Sequence, residues 1–172
     1  ELVGYAESKG VRIIIENCPM EGWQVPGVPG TISYSPELWD EMFRRVPSAN
    51  LGLNFDPSHL MFQLIDFYAL IPKYIDRIFH VHAKDAEIFD DRLKLYGIFD
   101  RVLGRKHGDF GFWRYRMPSL GQIDWARFAA ILKEYGYDGV LSIEHEDPLY
   151  EGSEEKIKEG LRVAYRHLKT VI

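Results

Sequence analysis

Short apolar runs rich in β-branched residues alternate along the chain with longer amphipathic stretches. Four of the short runs predict strands, at residues 11–16, 50–56, 77–82 and 139–144. Four amphipathic stretches predict helices, at residues 36–46, 60–74, 124–135 and 153–168, and residues 1–10 resemble the end of another helix. Asp124 and Ser153 are suited to cap the last two helices, and Gly136 is suited to end one of them. Alternating strands and helices predict a parallel sheet with helices packed outside it.

Each predicted strand has one aliphatic face and one face that ends in a polar residue. Successive side chains of a strand point to opposite faces, so residues two apart share a face. The polar residues at the four strand ends are Glu16, Asp56, His82 and Glu144. A doubly wound sheet, covered on both sides, would carry aliphatic residues on both faces. The pattern therefore predicts an α/β fold of the parallel (β/α) barrel type, with its site at the carboxyl ends of the strands.

The predicted units account for only part of a barrel. A complete barrel has eight βα units and takes about 250 residues, whereas this sequence has 172 residues and four units. An open four-stranded piece would leave two strand edges unpaired. We therefore expect residues 1–172 to be half of a barrel, completed by a missing half or by a second chain, with a homo-oligomer as an open alternative. Residues 83–122 are long for a βα connection and predict a long loop or lid.

Composition narrows the class of protein. Hydrophobic residues make up 46% of the chain and charged residues 27%, as in soluble globular proteins. The net charge of −5 argues against a nucleic-acid surface, which needs clustered Lys and Arg. No apolar run reaches the ~18 residues that a membrane span requires. Cys18 is the only cysteine, which favours a reducing compartment and a cytoplasmic location. These features predict a protein that acts on small molecules.

The four strand-end residues predict a metal site. A single acidic residue at a strand end is commonly a solvated charge or a helix cap. Three carboxylates and one imidazole at the same end of successive strands form a mixed oxygen and nitrogen donor set suited to Mn²⁺, Mg²⁺, Co²⁺ or Zn²⁺. His80 shares a strand face with His82 and either orients it or is hydrogen-bonded in the core. His59, in the stretch DPSH, is placed to reach a substrate hydroxyl.

Five motifs together resemble the sugar phosphate isomerase/epimerase superfamily, which has a xylose-isomerase-like TIM barrel and includes ketose 3-epimerases and inosose dehydratases. The motifs are IENCP, FDPSH, HVHAKD, RMPSLGQIDW and SIEHED. The resemblance covers essentially the whole chain and corresponds to strands five to eight, the C-terminal half of the barrel. It implies that the metal ligands are Glu16, Asp56, His82 and Glu144, with Mn²⁺ the foremost expectation. It also implies that Glu16 and Glu144 are the catalytic carboxylates.

The expected function is that of a divalent-metal-dependent isomerase or epimerase, which moves a proton on a keto sugar or sugar derivative through an enediolate. The alternative is a metal-dependent dehydratase or lyase on a keto sugar or inosose. The substrate-binding candidates are His59, Lys84, Arg116, Trp23 and Trp113. Lys84 forms either a salt bridge or a substrate contact, and the two tryptophans either stack on a sugar ring or pack loops onto the barrel. By the resemblance, Arg116 lies near a substrate-binding arginine of the ketose 3-epimerases, although Ser119 stands where the family often has glycine after the proline.

Two other classes of function remain open at this point. An endonuclease of the apurinic-site type would need further His and acidic ligands and a basic groove, and the charge of −5 counts against it. A barrel half without catalytic activity could serve as an interaction subunit. The patterns GxGxxG, GxxxxGK[ST] and GxSxG do not occur, so nucleotide cofactors and serine hydrolysis have no support in the sequence.

Overall fold

The computed structural model describes residues 1–20, 29–99 and 109–172. Its helices are α1 Leu2–Ser8, α2 Pro36–Arg45, α3 Pro57–Met61, α4 Phe67–Tyr74, α5 Asp90–Tyr96, α6 Trp125–Glu134 and α7 Glu154–Val171, with a 3₁₀ turn at Ile75–Arg77. Its strands are β1 Ile13–Glu16, β2 Leu51–Phe55, β3 Ile78–Ala83, β4 Asp85–Ile88, β5 Trp113–Arg116 and β6 Leu141–Ile143. Within these ranges no helix is both long enough and apolar enough to cross a bilayer.

Four of the strands form one parallel sheet in the order β1-β2-β3-β6. They are the four strands that the hydrophobic pattern predicts, and the predicted α/β fold with a parallel sheet is confirmed. The caps are confirmed as well, since the side chain of Asp124 accepts from the Arg127 amide and that of Ser153 from the Lys156 amide. Gly136, just after α6, has φ +82°, a conformation that glycine adopts readily.

The two faces of this sheet have different surroundings. One face is buried against the helices through Leu53 and Phe55, both 0% exposed, which belong to a core that includes Trp39 of α2. Burial of apolar surface of this kind is the main stabilising contribution to a fold. On the opposite face the chain leaves Ile14 41% and Val140 59% exposed. The opposite face is also the one that carries the polar residues near the strand ends.

The predicted helix over residues 60–74 is wrong as a single element. The structure has α3 and α4 in its place, separated by residues 62–66, and Leu64 between them has φ +60°. The break arises at Asp66, whose carboxylate accepts hydrogen bonds from the amides of Tyr68 and Ala69. Capping of this kind starts a new helix, because it satisfies amides that would otherwise bond to carbonyls one turn earlier.

The segment 83–122, predicted as a long loop or lid, carries secondary structure of its own. It contains β4, α5 and β5, and β4 pairs with β5 in antiparallel fashion. Asp85, fully buried, ties the segment to the helical layer, because its carboxylate accepts from the Ile123 amide at 3.0 Å and from the Trp125 indole at 2.8 Å. Burial raises the pKa of Asp85, although these hydrogen bonds act in the opposite direction. A lid role for this segment stays a prediction.

Candidate metal centre and active site

The four strand-end residues converge at one edge of the parallel sheet. Each of them offers a ligand atom, and these atoms all lie within 4.8 Å of one another: Glu16, Asp56, His82 and Glu144. Divalent ions bind such donors at about 2.0–2.2 Å, so donors on opposite sides of one ion are separated by roughly twice that distance. The convergence expected from strand parity is therefore present in the fold.

His82 lies between the two glutamates. Its Nδ1 is 3.0 Å from Oε1 of Glu16 and 2.8 Å from Oε2 of Glu144. These two partners raise the pKa of His82 to about 10. Burial favours the neutral form of each glutamate, but hydrogen bonds from histidine and the charge of Lys84 outweigh it, so the pKa of each carboxyl lies well below its usual range. Both glutamates are therefore ionised at neutral pH.

His59 is buried beside this cluster rather than exposed in a loop. It belongs to α3, and its Nε2 lies 3.4 Å from Glu16 and 3.3 Å from Asp56. On the other side of the ring, Nδ1 is 3.0 Å from the hydroxyl of Tyr115. Burial opposes protonation of His59, but the negative charge of Asp56 and hydrogen bonds that the ring donates to Cys18 and Glu16 raise its pKa to about 9.

Asp56 is held by both its backbone and its side chain. Asn17 bonds to the Asp56 backbone twice: its amide nitrogen donates to the carbonyl at 2.8 Å, and its amide oxygen accepts from the N–H at 2.7 Å. Oδ1 of Asp56 accepts from the Ser58 amide at the start of α3. Oδ2 faces two nitrogen atoms, Nζ of Lys84 at 3.1 Å and Nε2 of His59 at 3.3 Å. The second oxygen therefore points toward the centre.

The second ring nitrogen of His82, Nε2, has its polar contact with Asn54. The side-chain nitrogen of Asn54 lies 2.9 Å from Nε2 of His82, whereas Nε2 of His80 lies 2.8 Å from the hydroxyl of Ser142. His80 therefore does not orient His82 through a hydrogen bond. It is bonded within the sheet, which is the other alternative that the sequence left open. Metal-binding histidines usually form a hydrogen bond through the ring nitrogen that does not bind the metal, as His82 does here with Asn54.

A cavity of about 400 Å³ opens over the cluster. Polar side chains line one side of it (Glu16, His59, Lys84, Glu144 and Glu146), and apolar ones line the other (Cys18, Pro19, Met20, Phe62, Phe110, Trp113 and Tyr115). An apolar wall with a few convergent polar groups is typical of small-molecule sites. The acidic cluster at its base makes a polar, metal-binding ligand the best match.

The predicted substrate-binding aromatics differ in their outcome. Trp113 lines the cavity, but it is only 3% exposed and stacks on both Phe62 and Phe110, with ring centroids 3.8 and 4.5 Å away. Its stacking surface is therefore engaged within the chain, which agrees with the packing alternative. Trp23 lies outside the described residues. Stacking of a sugar on either tryptophan stays a prediction.

Arg116 and Lys84 are both buried in ion pairs. Nε of Arg116 lies 3.4 Å from Asp147 and 3.8 Å from Glu87, and its side chain is not among those that line the cavity. Lys84 does line the cavity, but it is 1% exposed and already contacts several carboxylates. Substrate binding by either residue stays a prediction and would require it to give up part of these contacts.

The donor set fits a divalent cation on its own chemistry. Oδ2 of Asp56 and Oε2 of Glu144 are buried, and neither has a hydrogen-bond partner in the described ranges. Both oxygens face the ammonium of Lys84, at 3.1 and 2.9 Å, so their surroundings already favour positive charge. The two oxygens, together with Glu16 and the imidazole of His82, could hold one ion. Binding would displace the proton that His82 otherwise carries.

Sequence reasoning missed the residues that support the ligands. Asn17 directly follows Glu16, and Asn54 has the same strand parity as Asp56, so adjacency and parity were available signals. Glu146, whose carboxylate lies 2.8 Å from Lys84, had no comparable signal. Its role depends on the path of the chain after β6.

Comparison with known proteins agrees with the fold. The family profile described as xylose isomerase-like TIM barrel matches residues 1–167. An uncharacterized protein of Methanocaldococcus jannaschii is 30% identical over 149 residues, which are 86% of this chain and 41% of the relative. An inosose dehydratase of Clostridium beijerinckii is 30% identical over 146 residues, 83% of this chain and 43% of the relative. The chain thus spans about two fifths of the length of these curated relatives.

Solved structures extend the likeness of fold. A probable 3-DHS dehydratase from Bacillus anthracis gives a TM-score of 0.66 at 15% identity, covering 98% of this chain and 53% of that one. The IolI protein with a bound zinc atom gives a TM-score of 0.65 at 22% identity, covering 99% of this chain and 54% of that one. A 3-keto-D-glucoside 4-epimerase from E. coli gives 0.63 at 14% identity, covering 98% and 49%. At these identities the likeness shows the fold alone, over about half of each neighbour.

Proposed function

Because the chain belongs to the xylose isomerase-like TIM barrel family, we propose that it supplies the metal-binding end of an enzyme that moves a proton on a keto sugar or sugar derivative. One observation carries this proposal: Glu16 and Glu144, both ionised, lie on either side of His82 within a four-residue donor set, and both glutamates line a cavity. Such an arrangement combines a cation site with two carboxylates that can exchange protons with a bound substrate.

The residues of the chain have separate tasks in this reaction. The proposed ligands are Glu16, Asp56, His82 and Glu144, and a divalent ion bound there supplies Lewis-acid chemistry to a carbonyl group. One glutamate removes the proton from the carbon next to the carbonyl, which leaves an enediolate. The other glutamate first takes up a proton from solvent and then donates it to the enediolate. His59, whose Nε2 faces Glu16 and Asp56, is placed to contact a substrate oxygen. The apolar wall excludes water from the reacting carbon.

Carboxylates and one imidazole suit several divalent ions. Mn²⁺ remains our first proposal, with Mg²⁺, Co²⁺ and Zn²⁺ as alternatives. The IolI structure, which contains a zinc atom, supports testing Zn²⁺ beside Mn²⁺.

A dehydratase acting on an inosose or a related keto sugar is the second candidate. The relatives named inosose dehydratase favour it, because they cover most of this chain at 29–32% identity. Isomerase and dehydratase share the first proton transfer. They differ afterwards, because in the dehydratase a carboxylic acid gives its proton to the hydroxyl group on the neighbouring carbon, which leaves as water, whereas in the isomerase the proton returns to carbon. The same carboxylates could serve in either reaction.

The proposal includes further strands around the site. β1 and β6 are the outer strands of the parallel sheet, and the exposed side chains of Ile14 and Val140 lie on its inner face. Additional strands paired with these edges would cover both side chains and close a barrel. We propose that the other half of a longer polypeptide supplies these strands, and that a second chain is the alternative. The cytoplasmic location stays a prediction.

A solvent-exchange experiment tests the proposed function. The protein, loaded with Mn²⁺ or Zn²⁺, is incubated in D₂O with a ketohexose or an inosose, and the products are followed by NMR. Deuterium incorporation with inversion or carbonyl migration identifies the isomerase or epimerase, whereas loss of water to an unsaturated ketone identifies the dehydratase. Removal of the metal with a chelator should abolish either reaction.

Substitutions test the assignment of residues. Glu144→Gln should lower the exchange rate by about 10²–10⁴-fold, the usual contribution of a general acid or base. Glu41→Gln, on the exposed face of α2, removes the same charge away from the cavity and should leave the rate unchanged. Undiminished exchange in Glu144→Gln, or no exchange with any substrate of either class in the metal-loaded protein, would contradict the proposal.

A further inference from the structure

Lys84 places a positive charge among the proposed metal ligands. Its ammonium nitrogen lies 3.1 Å from Oδ2 of Asp56, 2.9 Å from Oε2 of Glu144 and 2.8 Å from Oε2 of Glu146. Nε2 of His59 is 3.3 Å away. A single buried nitrogen is thus surrounded by three carboxylate oxygens and one imidazole.

The contacts of the ammonium are those that a second metal ion would make. Among the carboxylates, only Glu146 meets the ammonium with hydrogen-bond geometry, whereas Oδ2 of Asp56 and Oε2 of Glu144 face it at ion-pair distance. Asp56 and Glu144 also belong to the proposed ligand set, so each would bridge two cation positions. Bridged pairs of metal ions lie about 3.5–4 Å apart in two-metal enzymes.

The balance of charges around Lys84 also favours a cation at its position. The four carboxylates of this region are Glu16, Asp56, Glu144 and Glu146. One divalent ion and the ammonium together supply three positive charges, and the protonated imidazole of His59 supplies a fourth. Without the ammonium one negative charge would stay uncompensated beside the buried Asp56, which favours uptake of another cation.

We propose that the ammonium of Lys84 occupies the position of a second metal ion and so limits this centre to one divalent cation. This inference rests on the proposed function. The ammonium of Lys84 is a cation that the protein itself supplies. It holds Asp56 and Glu144 in place for the single ion and prevents a dinuclear centre from forming. Lys84 is accordingly a positioning residue that sets metal stoichiometry.

Metal stoichiometry tests this proposal directly. The protein and two variants, Lys84→Ala and Lys84→Arg, are saturated with Zn²⁺, desalted and analysed for bound metal. We expect about one ion per chain in the unsubstituted protein and in Lys84→Arg, which keeps the charge, and about two in Lys84→Ala. With Mn²⁺, electron paramagnetic resonance should show spin coupling between two close ions in Lys84→Ala only. The double variant Lys84→Ala/Glu146→Ala loses a ligand of the new position and should return to one ion.

Each outcome decides a different claim. Two ions per chain in the unsubstituted protein, with a spin-coupled Mn²⁺ spectrum, would overturn the role of Lys84, and this result needs no variant to fold. One ion in a Lys84→Ala protein whose circular dichroism matches the unsubstituted protein would overturn it as well. Absence of bound metal from the unsubstituted protein would instead refute the metal centre of the proposed function.

Discussion

The side chain of Asn17 pairs with the backbone of Asp56 through two hydrogen bonds of 2.8 and 2.7 Å, so that it binds both the carbonyl and the N–H of that residue. Asn17 follows β1 and Asp56 follows β2, and both residues are fully buried. The pair extends the contact between the two strands past the end of their ladder. It sets the position from which the Asp56 carboxylate reaches the centre.

Loss of this pair should affect both stability and the metal site. Asn17→Ala leaves the buried N–H and carbonyl of Asp56 without partners, which should lower the free energy of unfolding by about 1–3 kcal/mol. The matched control is Asn50→Ala, which removes an exposed hydrogen bond. The side-chain amide of Asn50 donates it to the carbonyl of Val11, at the opposite end of the same strands. Urea unfolding measures both. Equal losses for the two variants would contradict the structural role given to Asn17.

Asn54 should determine the metal affinity of His82. Binding of a metal through Nδ1 requires the remaining proton of His82 to be on Nε2, where it needs an acceptor. The side-chain amide of Asn54 lies beside Nε2, and its Oδ1 has no partner in the described part of the chain. Rotation of the amide by half a turn brings Oδ1 to Nε2. Asn54→Leu should therefore weaken metal binding by roughly 10–100-fold.

Isothermal titration with Zn²⁺ measures this effect. Ser142→Ala serves as the control, because it removes the partner of His80 on the same sheet face without touching His82. A Ser142→Ala protein with the same loss of affinity as Asn54→Leu would show that the effect is not specific to His82.

Tyr137 should make stability depend on pH in the alkaline range. Burial, with a smaller contribution from the charge of Asp138, raises the pKa of Tyr137 to about 12, and its hydroxyl donates to the carbonyl of Val140 at 2.8 Å. Between the ordinary value near 10 and this value, the folded chain keeps a proton that the unfolded chain has lost. The free energy of unfolding therefore falls as pH rises through this window.

Urea unfolding at several pH values above 9 tests this prediction. The contribution of Tyr137 is fully present below about pH 10 and is lost as pH approaches 12, so Tyr137→Phe should show a shallower decline than the unsubstituted protein. Parallel curves for the two proteins would contradict the assignment.

Part of the site could be predicted from strand parity alone. The alternation of aliphatic and polar positions identified four parallel strands, and parity identified Glu16, Asp56, His82 and Glu144 as residues at one edge of one face. These predictions succeed because both depend on the two-residue period of a strand, which is a local property of the backbone. The helix over residues 60–74 was wrong because the capping side chain of Asp66 interrupts an otherwise continuous apolar period.

The amino-acid sequence by itself determined the class of fold, its four parallel strands and the set of candidate ligands, since hydrophobic period and donor type are properties of individual segments. Only the tertiary structure decided which side chains support those ligands. Asn17, Asn54 and Lys84 come from different segments, and Lys84 meets Glu146 across a separation of 62 residues. Contacts of that kind depend on how the strand ends and the loops after them are brought together, a relationship that no local pattern contains.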